Sequence, residues 1–262
     1  MKLGIVMPVV LQNETMLSAT VQAATSIRSA ADMTLFVICN RLTVCSPEQL
    51  QDAIAANFFG KVKIDYEPYV ERSVAGAWNE GCRQALSDGN DYIAMVANDT
   101  RMELDCIDRL VSYIAMGEAD LASGISSNNR DRIDPSQVTD GADFSCFIIR
   151  PATLQRFGLF DPNFRPAYFE DNDYYARVVL GGGNCRVVHA AQFYHHGSLT
   201  VRTDGEMAHH VSYWFEKNRA YFSQKWGVAT PENTAAGVRR KYFQHPFNDA
   251  SRALSWFPEA LS

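Results

Sequence analysis

The sequence predicts an α/β fold: a Rossmann-like, mixed but mainly parallel sheet flanked by helices, with a C-terminal helical and irregular extension. Three observations carry this expectation. Short apolar runs alternate with helix-forming stretches over about the first 120 residues, the pattern of parallel strands joined by right-handed crossovers. The middle of the chain turns polar and acidic and then returns to apolar runs. From residue 206 an aromatic-rich helix begins, followed by a tail without clear periodicity. The expected division is a 1–205 domain, with one half to about 120 and a second from about 121. A 206–262 helix and tail then pack on that core.

The elements follow in order. "KLGIVMPVV" reads as a buried strand, a continuous apolar run closed by turn-prone residues. In "ETMLSATVQAATSIRSA", Leu17, Val21, Ala24 and Ile27 fall at helical spacing. "MTLFVICN" is a second buried strand. Ser46 is placed to cap the helix "SPEQLQDAIAANF", with Pro47 at its first position. "KVKIDYEP" alternates as a short strand. "SVAGAWNEGCRQALSDG" is a helix ending at a glycine. "DYIAMVAND" is a strand, and "ELDCIDRLVSYIAMGE" a helix with Ile107, Leu110, Val111 and Ile114 on one face. "SSNNRDRIDPSQVTDG" is a loop. "ADFSCFIIR" is a strand, "PATLQRFGLFDPNFRP" a short helix and turn, and "AYFEDNDYYARVVLGGG" an acidic helix start with a glycine stop. "NCRVVHAAQFYHHGS" is the last strand.

Composition narrows the function. The 262 residues are 47% hydrophobic and 21% charged, with a net charge of −6, which argues against sequence-blind binding to nucleic acid. Six cysteines include no C-x-x-C pair, so a zinc site of the usual spacing is not expected. Several lie in apolar runs, as small hydrophobes. A reducing, cytoplasmic location is expected, with no signal peptide and no transmembrane segment.

Four short stretches can carry chemistry, and each has a plainer alternative. "AND" at 97–99 puts Asp99 at the carboxyl end of a buried strand, where ligands bind in such sheets and where a carboxylate can hold a hard divalent cation. Alternatively Asp99 or Thr100 caps the next helix, with Glu103 at capping-box distance from Thr100. Glu170, Asp171 and Asp173 crowd a helix start, which favours acids on its own account, yet they emerge from "AYF", a setting that suits a general base. His195 and His196 end a strand, as metal ligands or as packing. His209 and His210 read as structural. Ala75, Gly76, Asn79 and Gly81 place small side chains near a helix N-terminus, where a diphosphate can approach. This is neither G-x-x-x-x-G-K-[ST] nor G-x-G-x-x-G.

Their order resembles the GT-A glycosyltransferases, in particular the family 2-like inverting enzymes. The resemblance runs from about Lys2 to Thr200 through "IVMPVV", "SVAGAWNEGCRQAL", "YIAMVANDT", "FIIRPATLQRFGLFDPNF", "FEDNDYYARVVLGGG" and "HHGS". "NRAYFSQKWG" also looks like the segment after that core. The resemblance implies a nucleoside-diphosphate sugar donor, UDP-linked by preference, and Mn2+ or Mg2+. It sets Pro8 and Val9 against the base, with Asn40 where the family often has an acid. Arg72, Gly76 and Asn79 would line the nucleotide side. The family's D-x-D falls on Ala97-Asn98-Asp99, with the first acid lost and Asn98 beside the donor. Asp99 would hold the metal with His195, or with His196 as a close substitute. Asp171 would be the catalytic base and Glu170 its support.

Two other readings stay open: a nucleotidyltransferase, disfavoured because "PVVLQNET" lacks glycine and a basic residue, and a non-catalytic nucleotide-sugar-binding protein. The acceptor hydroxyl can belong to a glycan, a lipid-linked sugar, a protein or a small molecule. Nucleic acid, such as a modified base in phage DNA, is a minority reading. It rests on the aromatic-flanked basic run Arg239-Arg240-Lys241.

Overall fold

A computed structural model describes residues 1–128, 133–197 and 199–226. The 227–262 tail, its basic run and part of the 126–141 loop lie outside the described residues. The elements are β1 (Lys2–Leu11), α1 (Glu14–Ser26), β2 (Asp32–Leu42), α2 (Pro47–Ala55), β3 (Lys61–Tyr66), α3 (Val74–Ser87), β4 (Tyr92–Val96) and β5 (Thr100–Met102). Then come α4 (Cys106–Ala115), β6 (Leu121–Ser126), β7 (Val138–Asp140), β8 (Cys146–Ile149), α5 (Pro151–Phe157), α6 (Glu170–Leu180), β9 (Cys185–His195), α7 (Leu199–Thr203) and α8 (Gly205–Trp226).

The sheet runs β3-β2-β1-β4-β8-β6-β9-β5, with β7 also on β9. The first four strands pair in parallel, as the alternation of elements implies. β8 inserts antiparallel between β4 and β6. It covers only Cys146–Ile149, so the "ADFS" half of the expected strand is a loop. β5, β6 and β7 were not anticipated. β5 and β7 have three residues each, too few for a readable period, and the small residues of β6, "LASGIS", break up its apolar run.

Period-2 alternation divides the core. Leu3, Ile5, Met7 and Val9 of β1 face α1, α2 and α4, while Val6 faces α3 on the other side. Ser46 and Gln49 form a reciprocal capping box ahead of Pro47. The apolar stripe expected on α4 is buried as a unit. α3 lies so close to β1 that a Cβ on Gly81 would stand 2.2 Å from a Val6 methyl. The small residues of α3 therefore serve helix–strand packing. α3 closes at Asp88, followed by Gly89 at φ +69. No helix among the described residues is long and apolar enough to cross a membrane.

Candidate active site

The carboxyl ends of β1, β2 and β4 open into a cleft of about 1060 Å3. Pro8, Val9, Asn40, Arg72, Asn98, Asp99, Glu170, Asp171 and His195 all line it. Strand register makes the central contact. β5 pairs antiparallel with β9 so that Thr100 faces His195, and this brings the neighbouring Asp99 carboxylate onto the imidazole. Asp99 Oδ1 lies 3.1 Å from His195 Nε2, and Oδ2 accepts the Leu199 N–H at 3.2 Å. Ser145 Oγ lies 3.2 Å from the other ring nitrogen. Asn128 fixes the His195 backbone through its side-chain oxygen and nitrogen. Burial works to raise the Asp99 pKa, but the His195 hydrogen bond and charge and the Leu199 N–H outweigh it, so the carboxyl sits below the usual range. Burial likewise works to lower that of His195, and Asp99 and Asp143 override it, so it is raised.

The helix-cap alternative for this stretch fails. Thr100 is a strand residue whose hydroxyl bonds Ala97 O, and α4 begins after Asp105. Asn98 ties the strand end to α1 by donating to Thr20 Oγ1 at 2.9 Å. His196 does not line the cleft, and its ring packs edge-on to Tyr194.

The opposite wall carries the carboxylate pair. Phe169 caps α6 at φ +76, and Tyr168 before it stands at φ +77. This left-handed region is strained for aromatic residues. Glu170 is 6% exposed and its Oε2 has no hydrogen-bond partner. Burial first, and then the Asp171 charge, push its pKa well above the carboxylate range. Burial also raises the pKa of Asp171, against the opposing effect of the Asn172 N–H, which donates to its Oδ1 at 2.8 Å.

Elsewhere on the cleft wall, Asn40 Oδ1 and Arg72 Nη1 are buried without partners. Orphaned groups of this kind in a cleft mark a place for ligand polar atoms. Arg72 is steered there by Glu67 at 2.6 Å and Asp65 at 3.5 Å.

Two expected residues do not reach the cleft. Asn79 is buried and exchanges two hydrogen bonds, each 2.8 Å, with the Phe160 backbone. Gly76 lies in the first turn of α3, its N–H taken by the Ser73 cap. In the other direction, His209 and His210 line the cleft from α8 rather than packing inside. Asp143 was missed. It lines the cleft from the loop before β8, and its charge acts on both Asp171 and His195. The D-x-S spacing, in which Ser145 N–H bonds Asp143 Oδ1 at 3.0 Å, was the available signal of a turn.

Asp99 and His195 suit a divalent cation chemically, offering one carboxylate oxygen and one imidazole nitrogen at the cleft wall. Among the described residues no third His, Cys, Asp or Glu joins them. An ion held there would take its other oxygens from ligand or water.

No protein-family model matches the chain. Over 127 residues it is 29% identical to a galactofuranosyl glycosyltransferase of Leishmania donovani, a match spanning 47% of this chain and only 26% of that protein. The structure is similar to GalNAc-T7 with UDP, GalNAc and Mn2+, with a TM-score of 0.62 and 14% identity over 97% of this chain and 53% of that one. It is similar to the mannosyltransferase PcManGT of Pyrobaculum calidifontis in complex with GDP-Man and Mn2+, at 0.60 and 12% over 92% and 74%. S. aureus TarS 1–349 aligns at 0.53 and 12% over 74% and 60%. The protein thus has the GT-A fold, the fold these glycosyltransferases share.

Proposed function

We propose that the protein is an inverting, family 2-like glycosyltransferase. It would use a divalent cation, Mn2+ or Mg2+, to move a sugar from a nucleoside-diphosphate sugar, UDP-linked in the first instance, to an acceptor hydroxyl. The observation that carries this is the pairing of Asp99 with His195, 96 positions apart, in the same cleft as Asp171. Neighbours of this fold hold UDP or GDP-Man together with Mn2+. The Leishmania donovani relative is a galactofuranosyl glycosyltransferase, so a galactofuranosyl donor belongs in the screen.

Asn40 Oδ1 offers an acceptor and Arg72 Nη1 a donor to the nucleoside. Asp99 and His195 would hold the cation. A bound cation supplies charge neutralisation for the departing diphosphate. Asp171 accepts the proton of the acceptor hydroxyl as that oxygen attacks the anomeric carbon from the far side. Its raised pKa moves it toward the range where a base works best. Glu170, buried beside Asp171 with its pKa pushed up, supports the base from the inner side of the pair. One displacement inverts the centre and needs no protein nucleophile.

The test is donor turnover with Mn2+ by purified protein. Asp171→Asn should lower transfer by about 10²–10⁴-fold and keep metal-dependent nucleotide binding. Transfer retained in that variant would mean the base lies elsewhere. Asp99→Ala should weaken Mn2+-dependent nucleotide binding, and binding indifferent to both the metal and this substitution would remove the cation site.

A further inference from the structure

The geometry assigns Asn218 a positioning role: from α8, its amide holds the 165–168 turn in the form that presents Glu170 and Asp171 to the cleft. Only the chemistry given to Asp171 rests on the function proposed above. The clamp itself rests on contacts.

Asn218 is 2% exposed. Its Nδ2 lies 3.0 Å from Arg165 O, 2.9 Å from Ala167 O and 3.1 Å from Tyr168 O, and its Oδ1 accepts the Arg165 N–H at 3.3 Å. An Asn amide has two N–H donors, so this one group serves three carbonyls of a single turn. Pro166, Ala167 and Tyr168 of that turn line the cleft. Its exit is the pair of left-handed aromatic residues, Tyr168 and Phe169. A side chain with a Cβ does not hold that region unless its surroundings impose it.

The surroundings come from two sides. Val74, at the start of α3, donates its N–H to Pro166 O at 2.9 Å. α8 provides the rest: Phe215 meets the Tyr168 ring at 5.6 Å and the Phe169 ring at 5.1 Å, and Phe222 meets Phe169 at 5.7 Å. The aromatic contacts seat the turn, and the Asn218 amide answers the carbonyls of Arg165, Ala167 and Tyr168. Remove the amide, and Tyr168 and Phe169 relax toward the right-handed region, turning the first residues of α6 and their carboxylates away from the cleft. α8, outside the alternating strand–helix frame, is thereby part of the site.

The experiment compares full-length wild type with Asn218→Ala and Asn218→Ser. It follows hydrogen–deuterium exchange of residues 165–171, Mn2+-dependent UDP binding, and kcat and donor KM. Asn218→Ala should raise exchange in 165–171 while the rest of α8 stays protected. It should lower kcat by about 100-fold, the cost of a small misplacement of a reacting group, and leave UDP binding and donor KM essentially unchanged. Asn218→Ser, which keeps one donor, should fall between and decides the matter if the alanine variant does not fold. Adding Tyr168→Asn should restore part of the exchange protection, because Asn enters the left-handed region readily. Unchanged exchange in 165–171, or UDP binding lost in step with kcat as in general loosening, overturns the assignment. Asp171→Asn is run in parallel: transfer retained there removes the base assignment, while the exchange of the turn still judges the clamp.

Discussion

Lys225→Met isolates what fastens α8 and α6 to the core. Lys225 is 3% exposed, and its Nζ lies 2.7 Å from Asp161 Oδ2 and 2.7 Å from Asp173 Oδ1. Around it, Tyr221 donates to Asp161 at 2.8 Å, Trp226 donates to Asp173 at 2.9 Å, and Arg177 pairs with Asp173. Methionine keeps the aliphatic stem, so the loss is the cation itself, which leaves two buried carboxylates short of one positive charge. Breaking a buried pair in this way costs about 3–5 kcal/mol. At about 2–4 °C per kcal/mol for a chain of this size, Tm should fall by about 6–20 °C. The sign with pH is also set. Burial raises the Asp161 pKa, but the Lys225 charge and hydrogen bond override it and hold the carboxyl below its ordinary value. Its stabilisation is thus present above the unfolded pKa of about 3.9 and is lost as pH falls through the folded value. Without Lys225 the Asp161 pKa rises, the native variant takes up a proton sooner, and the gap to wild type narrows in acid. Urea unfolding of both proteins at about pH 7.5 and about pH 4.5 measures this. A gap under about 1 kcal/mol at neutral pH, or one that widens in acid, refutes the reasoning.

Two further outcomes are expected besides those for Asp171 and Asp99. Burial first and then the Asp171 charge raise the Glu170 pKa well above the carboxylate range, so its contribution is complete below the unfolded pKa of about 4.3 and is lost as pH rises through the folded value. Glu170→Gln should therefore flatten the pH dependence of the urea midpoint and exceed wild type at alkaline pH; parallel curves would contradict the buried-acid assignment. Gly81→Ala forces a Cβ to 2.2 Å from Val6 Cγ1 and should destabilise by about 1–3 kcal/mol through overpacking. A neutral effect in thermal melts would show that α3 can lift from β1.

Much of the frame was legible because continuous apolar runs and helical stripes are local signals. β1 to β4, the Ser46 cap and the buried face of α4 follow from a few neighbouring residues each. Asp99 and His195 were legible as strand ends, and register brings them together. What stayed hidden depends on partners far along the chain. Asn79 looked like a ligand residue because small and polar residues share its helix, yet Phe160, 81 positions on, takes both sides of its amide. Asp143 disappeared into an apolar run whose first half is loop. The α3 glycines looked like room for a phosphate, but the packing of α3 on Val6 needs Gly81.

The acids of "FEDNDYYAR" show how one short stretch takes on different roles. Successive helical residues turn by about 100°, so Asp173 and Arg177, four apart, share a face. That face points inward, and both side chains are fully buried. Asp171 is two residues from Asp173, about 200° around the same helix, and so faces the cleft with its half-buried carboxylate. Glu170, three before Asp173, is drawn toward the interior, where burial and then the Asp171 charge raise its pKa. Composition alone would assign three equivalent acids to a helix start. The angle around α6, together with Lys225 and Arg177 on its inner side, makes one acid paired inside the core, one buried acid with a raised pKa and one carboxyl on the cleft.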